Sequence, residues 1–230
     1  MAKAILVEGL SGTGKSTAWR NVPHEQAMVI RPNTKDLPFP GSKKMYKQLD
    51  PKTGVGNIIT TSNLTEITQW LKWINQAKHI KYVLIDDFTH YMSARTMSKD
   101  FINQNSGNAA FAKWNVFGSD VYAAMFSELP NLREDLTIVF NHHVSLNELG
   151  EYTFKSQGKL LENIVDPVSY FTYVFHTRVF KTDSGREYKF QTNRDGIYEA
   201  KTPMGCFEDL YIDNDMYAAL QQIEKYELGE

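Results

Sequence analysis

Gly9-Leu10-Ser11-Gly12-Thr13-Gly14-Lys15-Ser16, followed by Thr17, has glycines and a Lys-Ser pair at the spacing needed to wrap a phosphate chain. The glycines let successive backbone N–H groups turn inward. Lys15 supplies a point charge to β- and γ-phosphates, and the Ser16 hydroxyl is placed to ligate Mg²⁺. The nucleotide-binding set read from this pattern is Gly9, Ser11, Gly12, Thr13, Gly14, Lys15, Ser16 and Thr17. An apolar strand precedes it at residues 4–7. A helix is expected over residues 15–21, its N-terminus adding positive dipole.

Such a loop needs a carboxylate to hold the metal, on a neighbouring strand. Tyr82-Val83-Leu84-Ile85 is an apolar run ending in Asp86-Asp87. Asp86 falls at the carboxyl end of a buried strand, where ligands of α/β sheets bind, and is the expected Mg²⁺ partner of Ser16. Asp87 points to the other side of the strand axis and is the candidate to activate water. A further apolar run, residues 136–140, ends in Asn141-His142-His143. Asn141 and His142 are candidates to sense a γ-phosphate, with His142 preferred. Lys15, Asp87 and His142 make up the expected catalytic set.

These groups must be carried by an alternation of strands and helices. Residues 26–31 and 57–61 read as further strands. Leu64, Ile67, Leu71 and Ile74 recur at helical spacing behind Asn63 as N-cap. Phe111, Trp114, Val121, Met125 and Leu129 mark a long helix ending before Pro130. Near-continuous apolar strands argue for a mostly parallel sheet covered by helices. Residues 170–180 and 188–192 around Asp183-Ser184-Gly185 predict an antiparallel hairpin, then a helix capped by Asp213 or Asn214. No linker or repeat divides the chain, so one domain over residues 1–230 is expected.

Composition narrows the class. The chain has 230 residues, 25 Lys and Arg against 27 Asp and Glu, and a single cysteine, Cys206. A net charge of −2 excludes a polycationic nucleic-acid binder as a whole-chain description, though not a local basic groove. One cysteine excludes an intrachain disulfide framework. The apolar run at residues 4–7 is too short for a signal peptide, and no run reaches membrane-spanning length. The expectation is a cytoplasmic protein with no membrane partner.

The motif order resembles RecA-like P-loop NTPases. Lys35-Asp36-Leu37-Pro38-Phe39-Pro40-Gly41, Gly158-Lys159-Leu160-Leu161, Phe190-Gln191-Thr192-Asn193 and Ala200-Lys201-Thr202-Pro203-Met204-Gly205 sharpen the likeness. They resemble small phage RecA-like ATP-binding proteins, among them phage single-strand annealing proteins. The resemblance implies a RecA-like core, ATP and Mg²⁺ as ligands, ATP hydrolysis and single-stranded DNA as partner; the departure from RecA at residues 31–33 points to slow or DNA-dependent hydrolysis. It implies annealing or strand exchange in recombination or replication, a homo-oligomer, contacts with phage replication or recombination proteins, and the cytoplasm of a host cell.

The resemblance also places DNA-binding loops at residues 93–108 and 144–159. The first carries Arg95 and Lys99, the second Tyr152, Phe154, Lys155 and Lys159, charge beside aromatics. Lys201 matches a lysine that reaches the next subunit's nucleotide in RadA-type relatives, and Arg194 is the other trans-acting candidate. Pro203 stands where that segment has Arg. Arg31-Pro32-Asn33 stands where RecA-like enzymes keep a catalytic Glu. Two alternatives remain open: a nucleotide-switched accessory or loader protein, and a small-molecule P-loop kinase.

Overall fold

Ile5-Leu6-Val7, Val29-Ile30, Val83-Leu84-Ile85 and Ile138-Val139-Phe140 are apolar without alternation, so these strands need cover on both faces. In the computed structural model, which describes residues 1–104, 107–157 and 166–230, they form the middle of a sheet. The strands are β1 (Lys3–Gly9), β2 (Ala27–Arg31), β3 (Ile58–Thr60), β4 (Tyr82–Ile85), β5 (Thr137–Leu146), β6 (Tyr152–Phe154), β7 (Tyr173–Thr182), β8 (Gly185–Gln191) and β9 (Tyr211–Asp213). Their order is β3-β2-β4-β5-β1-β7-β8-β9, with β6 paired to β5. The pairs from β3 to β7 are parallel, while β7–β8, β8–β9 and β5–β6 are antiparallel. The fold is therefore α/β, mostly parallel, with the expected antiparallel hairpin.

Two cores lie on the two faces. Leu6, Ile30, Ile85 and Phe140 face one side, under α2 (Glu66–Gln76), α3 (Phe88–Thr96) and α5 (Ala109–Tyr122). The alternate residues Ile5, Val7, Val29, Leu84 and Val139 face the other, against Trp19 and the Leu220 and Ile223 of α6 (Met216–Leu228). Two short helices, α1 (Ser42–Met45) and α4 (Lys99–Asn103), lie in the connections. Among the described residues no helix is long and apolar enough to cross a membrane.

Four expectations need correction. The strand carrying Asp86 is not the neighbour of β1, because β5 runs between them. The helix after Gly14 is only a 3₁₀ turn over Thr17–Asn21. Val22-Pro23 stops it, since a residue before proline is pushed out of the helical region. So short a turn adds little dipole. The long helix expected to reach Leu129 ends at Tyr122 and passes into a π-helical turn over Ala123–Ser127. Caps are also displaced. Asp215 caps α6, accepting from the N–H groups of Tyr217 and Ala218, while Asn63 accepts from the Thr65 N–H ahead of α2.

Candidate active site

Strand register decides what meets the 9–16 loop. Ile30 stands beside Ile85 and Ile85 beside Phe140, so the next residues, Arg31, Asp86 and Asn141, leave adjacent strands abreast. Alternation turns all three to the face of Val29, Leu84 and Val139. The 9–16 loop curls over that same face. Ser16 Oγ donates to Asp86 Oδ1 at 2.8 Å, and Asn141 Nδ2 donates to the same oxygen at 2.9 Å. The interposed β5 is thus what brings Asn141 to Asp86.

The resulting cavity has a volume of about 790 Å³. Ser11, Gly12, Gly14, Lys15, Ser16 and Thr17 form its loop wall, with Asp86, Asp87, Asn141 and His143 facing them. Lys15 Nζ donates to the Gly9 and Leu10 carbonyls at 2.8 and 2.7 Å and lies 3.5 Å from His143 Nδ1. Desolvation lowers the Lys15 pKa to about 8, against the opposing pull of Asp87, Asp86 and Glu8. Desolvation also pushes the Asp86 carboxyl above its usual value, with the bonds from Asn141 and Ser16 pulling it back.

Asp87 adopts a left-handed conformation, φ 56°, which breaks the strand and turns its carboxylate into the cavity. His90 Nδ1 stands 2.7 Å from Oδ2 and His143 Nε2 stands 3.4 Å from Oδ1. Neither contact is aligned as a formed hydrogen bond, and Oδ1 is buried without a hydrogen-bond partner among the described residues. Burial alone would raise the Asp87 pKa; the two histidines outweigh it and hold the carboxyl at about 2. Asp87 is therefore a strong acceptor of hydrogen bonds and a weak acceptor of protons.

His142 is not in the cavity. Since Asn141 faces the loop, His142 must face away and His143 must return. His142 is buried, stacked on Phe154 with ring centroids 3.5 Å apart. Its Nε2–H donates to the Lys155 carbonyl at 3.0 Å, and Thr89 Oγ1 donates to its Nδ1 at 3.2 Å. Desolvation lowers its pKa to about 3, so it is neutral. His142→Ala should cost about 2–4 kcal/mol of stability through lost packing and hydrogen bonds. Urea denaturation reads that loss, and the affinity of the folded variant for Mg²⁺-triphosphate should stay within about twofold of wild type, as expected for a packing residue. Glu8, next to Gly9, also faces away. Burial drives Glu8 up and His176 down to about 4, so desolvation opposes a charge on either side of their 3.2 Å contact.

The DNA-loop candidates divide. Arg95 is engaged by Asp120 and Asp100, Tyr152 stacks on Tyr198, and Phe154 lies buried under His142. Each of these three already meets its charge or its aromatic face within the chain, Phe154 buried and Arg95 and Tyr152 half-buried. Lys99 and Lys155 are exposed, and Lys159, with the 158–161 stretch, lies outside the described residues. Arg194 pairs with Glu151, and Lys201 Nζ donates to the Ser169 carbonyl at 3.4 Å; neither lines the cavity.

Sequence reasoning gave no site role to Arg20, His143, Tyr188 or Asn214, which line the cavity. Arg31, noted only as replacing a glutamate, lines it too. Its guanidinium donates to the Lys35 carbonyl at 2.7 Å and has no carboxylate partner among the described residues. Alternation from Asn141 would have found His143. Nothing local marks Tyr188 or Asn214, which reach the loop only through the hairpin.

Among the described residues no three His, Cys, Asp or Glu side chains form a metal cage. Mg²⁺ does not require one, since it usually keeps waters and takes phosphate oxygens beside one or two protein ligands. The Ser16–Asp86 pair fits that donor set. No protein-family model matches the chain, and no curated protein is significantly similar to it.

Proposed function

We propose that the chain is a Mg²⁺-dependent ATPase that acts on single-stranded DNA as an oligomer. The observation that carries the nucleotide part is the meeting of Lys15, the Ser16–Asp86 pair and Asn141 at one glycine-rich loop. Lys15 leaves the Gly9 and Leu10 carbonyls to take phosphate oxygens. Ser16 and Asp86 would hold Mg²⁺, which supplies positive charge to the β- and γ-phosphates. Asn141 fixes the Asp86 carboxylate. Asp87 accepts a hydrogen bond from a water at the γ-phosphate, with His143 beside it. Its weakness as a proton acceptor is tolerable because phosphoryl transfer depends mainly on positioning and charge. The DNA part rests on the resemblance to RecA-like annealing proteins, with exposed Lys99 and Lys155 as backbone contacts.

The test is phosphate release by wild type and Lys15→Ala, with and without single-stranded DNA, alongside retention of labelled strands at low salt. Release by wild type alone, raised by DNA, is expected. Equal release from wild type and Lys15→Ala under every condition overturns the ATPase. Release without strand retention overturns the DNA assignment.

One observation favours a second reading. The cavity continues past Asp87 to Arg31, Asn33, Lys35 and His90, which is room for a phosphoryl acceptor. A phosphorylated product in a screen of nucleosides and nucleotides would establish a kinase instead.

A further inference from the structure

Asn214 is 3% exposed, and its Nδ2 is buried without a hydrogen-bond partner among the described residues. It lines the cavity. A side chain at Gly14 would meet it, since a Cβ there would lie 2.9 Å from Asn214 Oδ1 and 3.2 Å from Nδ2. The amide therefore stands directly against the loop. Its backbone is fixed on both sides: Arg20 donates to the Asn214 carbonyl, and the Asn214 N–H donates to the Tyr188 carbonyl at 3.3 Å. A buried amide donor with no partner is costly, and such a cost is recovered when a ligand supplies the acceptor.

Tyr188 lines the same part of the cavity and is 40% exposed. It lies on β8, whereas Asp86 and Asp87 lie at the end of β4. Those strands are separated by β5, β1 and β7, so four strand spacings, roughly 19 Å, divide them. A triphosphate on the loop with its γ-phosphate toward Asp87 projects its nucleoside the opposite way, toward β8.

We propose that Asn214 and Tyr188 form an adenine-recognition subsite, a conclusion that rests on the nucleotide-binding reading above. Nδ2–H donates to adenine N7 while Oδ1 accepts from the N6 amino group, the paired geometry by which an asparagine amide reads adenine. Guanine offers two acceptors, O6 and N7, along that edge and would set O6 against Oδ1. The Tyr188 ring supplies a stacking face that does not discriminate between bases.

Titration calorimetry with Mg²⁺-ATP, Mg²⁺-GTP and Mg²⁺-tripolyphosphate tests this. Wild type should prefer ATP over GTP by about tenfold or more, and Asn214→Ala should bring the two within about twofold. Tripolyphosphate affinity should be unmoved by Asn214→Ala. Tyr188→Leu should weaken both nucleotides about tenfold without altering their ratio. Nδ2 has no hydrogen-bond partner among the described residues, so Asn214→Ala should not lower the melting temperature without ligand. Should Asn214→Ala not fold, Asn214→Asp keeps the shape, replaces the donor with an acceptor, and must also lose the preference for ATP.

An unchanged ATP-to-GTP ratio in these variants overturns the subsite. So does an equal loss of ATP and tripolyphosphate, which would assign the amide to phosphate. In both cases Lys15→Ala would still weaken binding sharply, leaving the nucleotide reading intact. If wild type binds no triphosphate, or Lys15→Ala binds it as well as wild type, the nucleotide reading falls and takes the subsite with it.

Discussion

Lys15→Ala is expected to reduce phosphate release at least about 100-fold, the scale at which loss of a charge aimed at the transition state is felt. The apo variant should remain folded, because Lys15 anchors only the Gly9 and Leu10 carbonyls of its own loop. A pH signature separates this from general damage. The Lys15 pKa lies at about 8 in the folded protein against 10.5 for the free side chain. Between those values the unfolded chain binds more protons, so this group's contribution to stability rises with pH from about 8 to 10.5 and is lost as pH falls through 8. Denaturation at pH 7 and pH 10 should show wild type gaining on Lys15→Ala. Triphosphate affinity should move the other way in wild type, weakening above pH 8 as the ammonium loses its proton, and stay flat in Lys15→Ala. Equal pH profiles for the two proteins would remove Lys15 from the site.

Asp86→Asn should uncouple activity from stability. Loss of the metal-holding charge is expected to lower Mg²⁺-dependent hydrolysis about 100-fold or more. The asparagine carbonyl still accepts from Ser16 and Asn141, so local geometry survives. Desolvation raises the Asp86 pKa above 3.8, which makes its ionised form a cost to the folded state. The stability this group contributes is present below the unfolded value and disappears as pH climbs through the folded one. The advantage of Asp86→Asn in urea denaturation should therefore be small near pH 4 and larger at pH 7.5. An Asp86→Asn protein less stable than wild type at pH 7.5, or one that hydrolyses normally, would remove Asp86 from this role. Gains of this kind are common where an active site holds a charge against solvation.

What could be read directly from residues was the part governed by local pattern. Unbroken apolar runs announced β1, β4 and β5, and the 9–16 spacing announced the loop. The Ser16–Asp86 contact followed from those two elements. The hairpin was legible from alternation around Asp183-Ser184. Faces were harder. Whether His142 or His143 reaches the cavity turns on strand parity, which shows only in the strand register and in the bond from Asn141 to Asp86. Arg95 and Phe154 looked like exposed recognition residues because charge and aromaticity do not reveal a partner distant in sequence, here Asp120 and His142. Tyr188 and Asn214 reach the loop from the far end of the chain, through pairings that no short window contains.

Gly9 closes the circle between loop and hairpin. A Cβ there would lie 2.0 Å from Thr177 Oγ1 and 3.0 Å from Thr13 Oγ1, and the two threonine hydroxyls meet at 2.5 Å. Thr177 also donates to the Glu8 carbonyl at 3.1 Å. The first residue of the loop is thus clamped to the middle of β7, where that strand leaves β1 and continues outward into the β7–β8 hairpin. Loop and hairpin form one mechanical linkage. A displacement of the hairpin that moved Thr177 would therefore have to move Gly9, where the loop begins, with it.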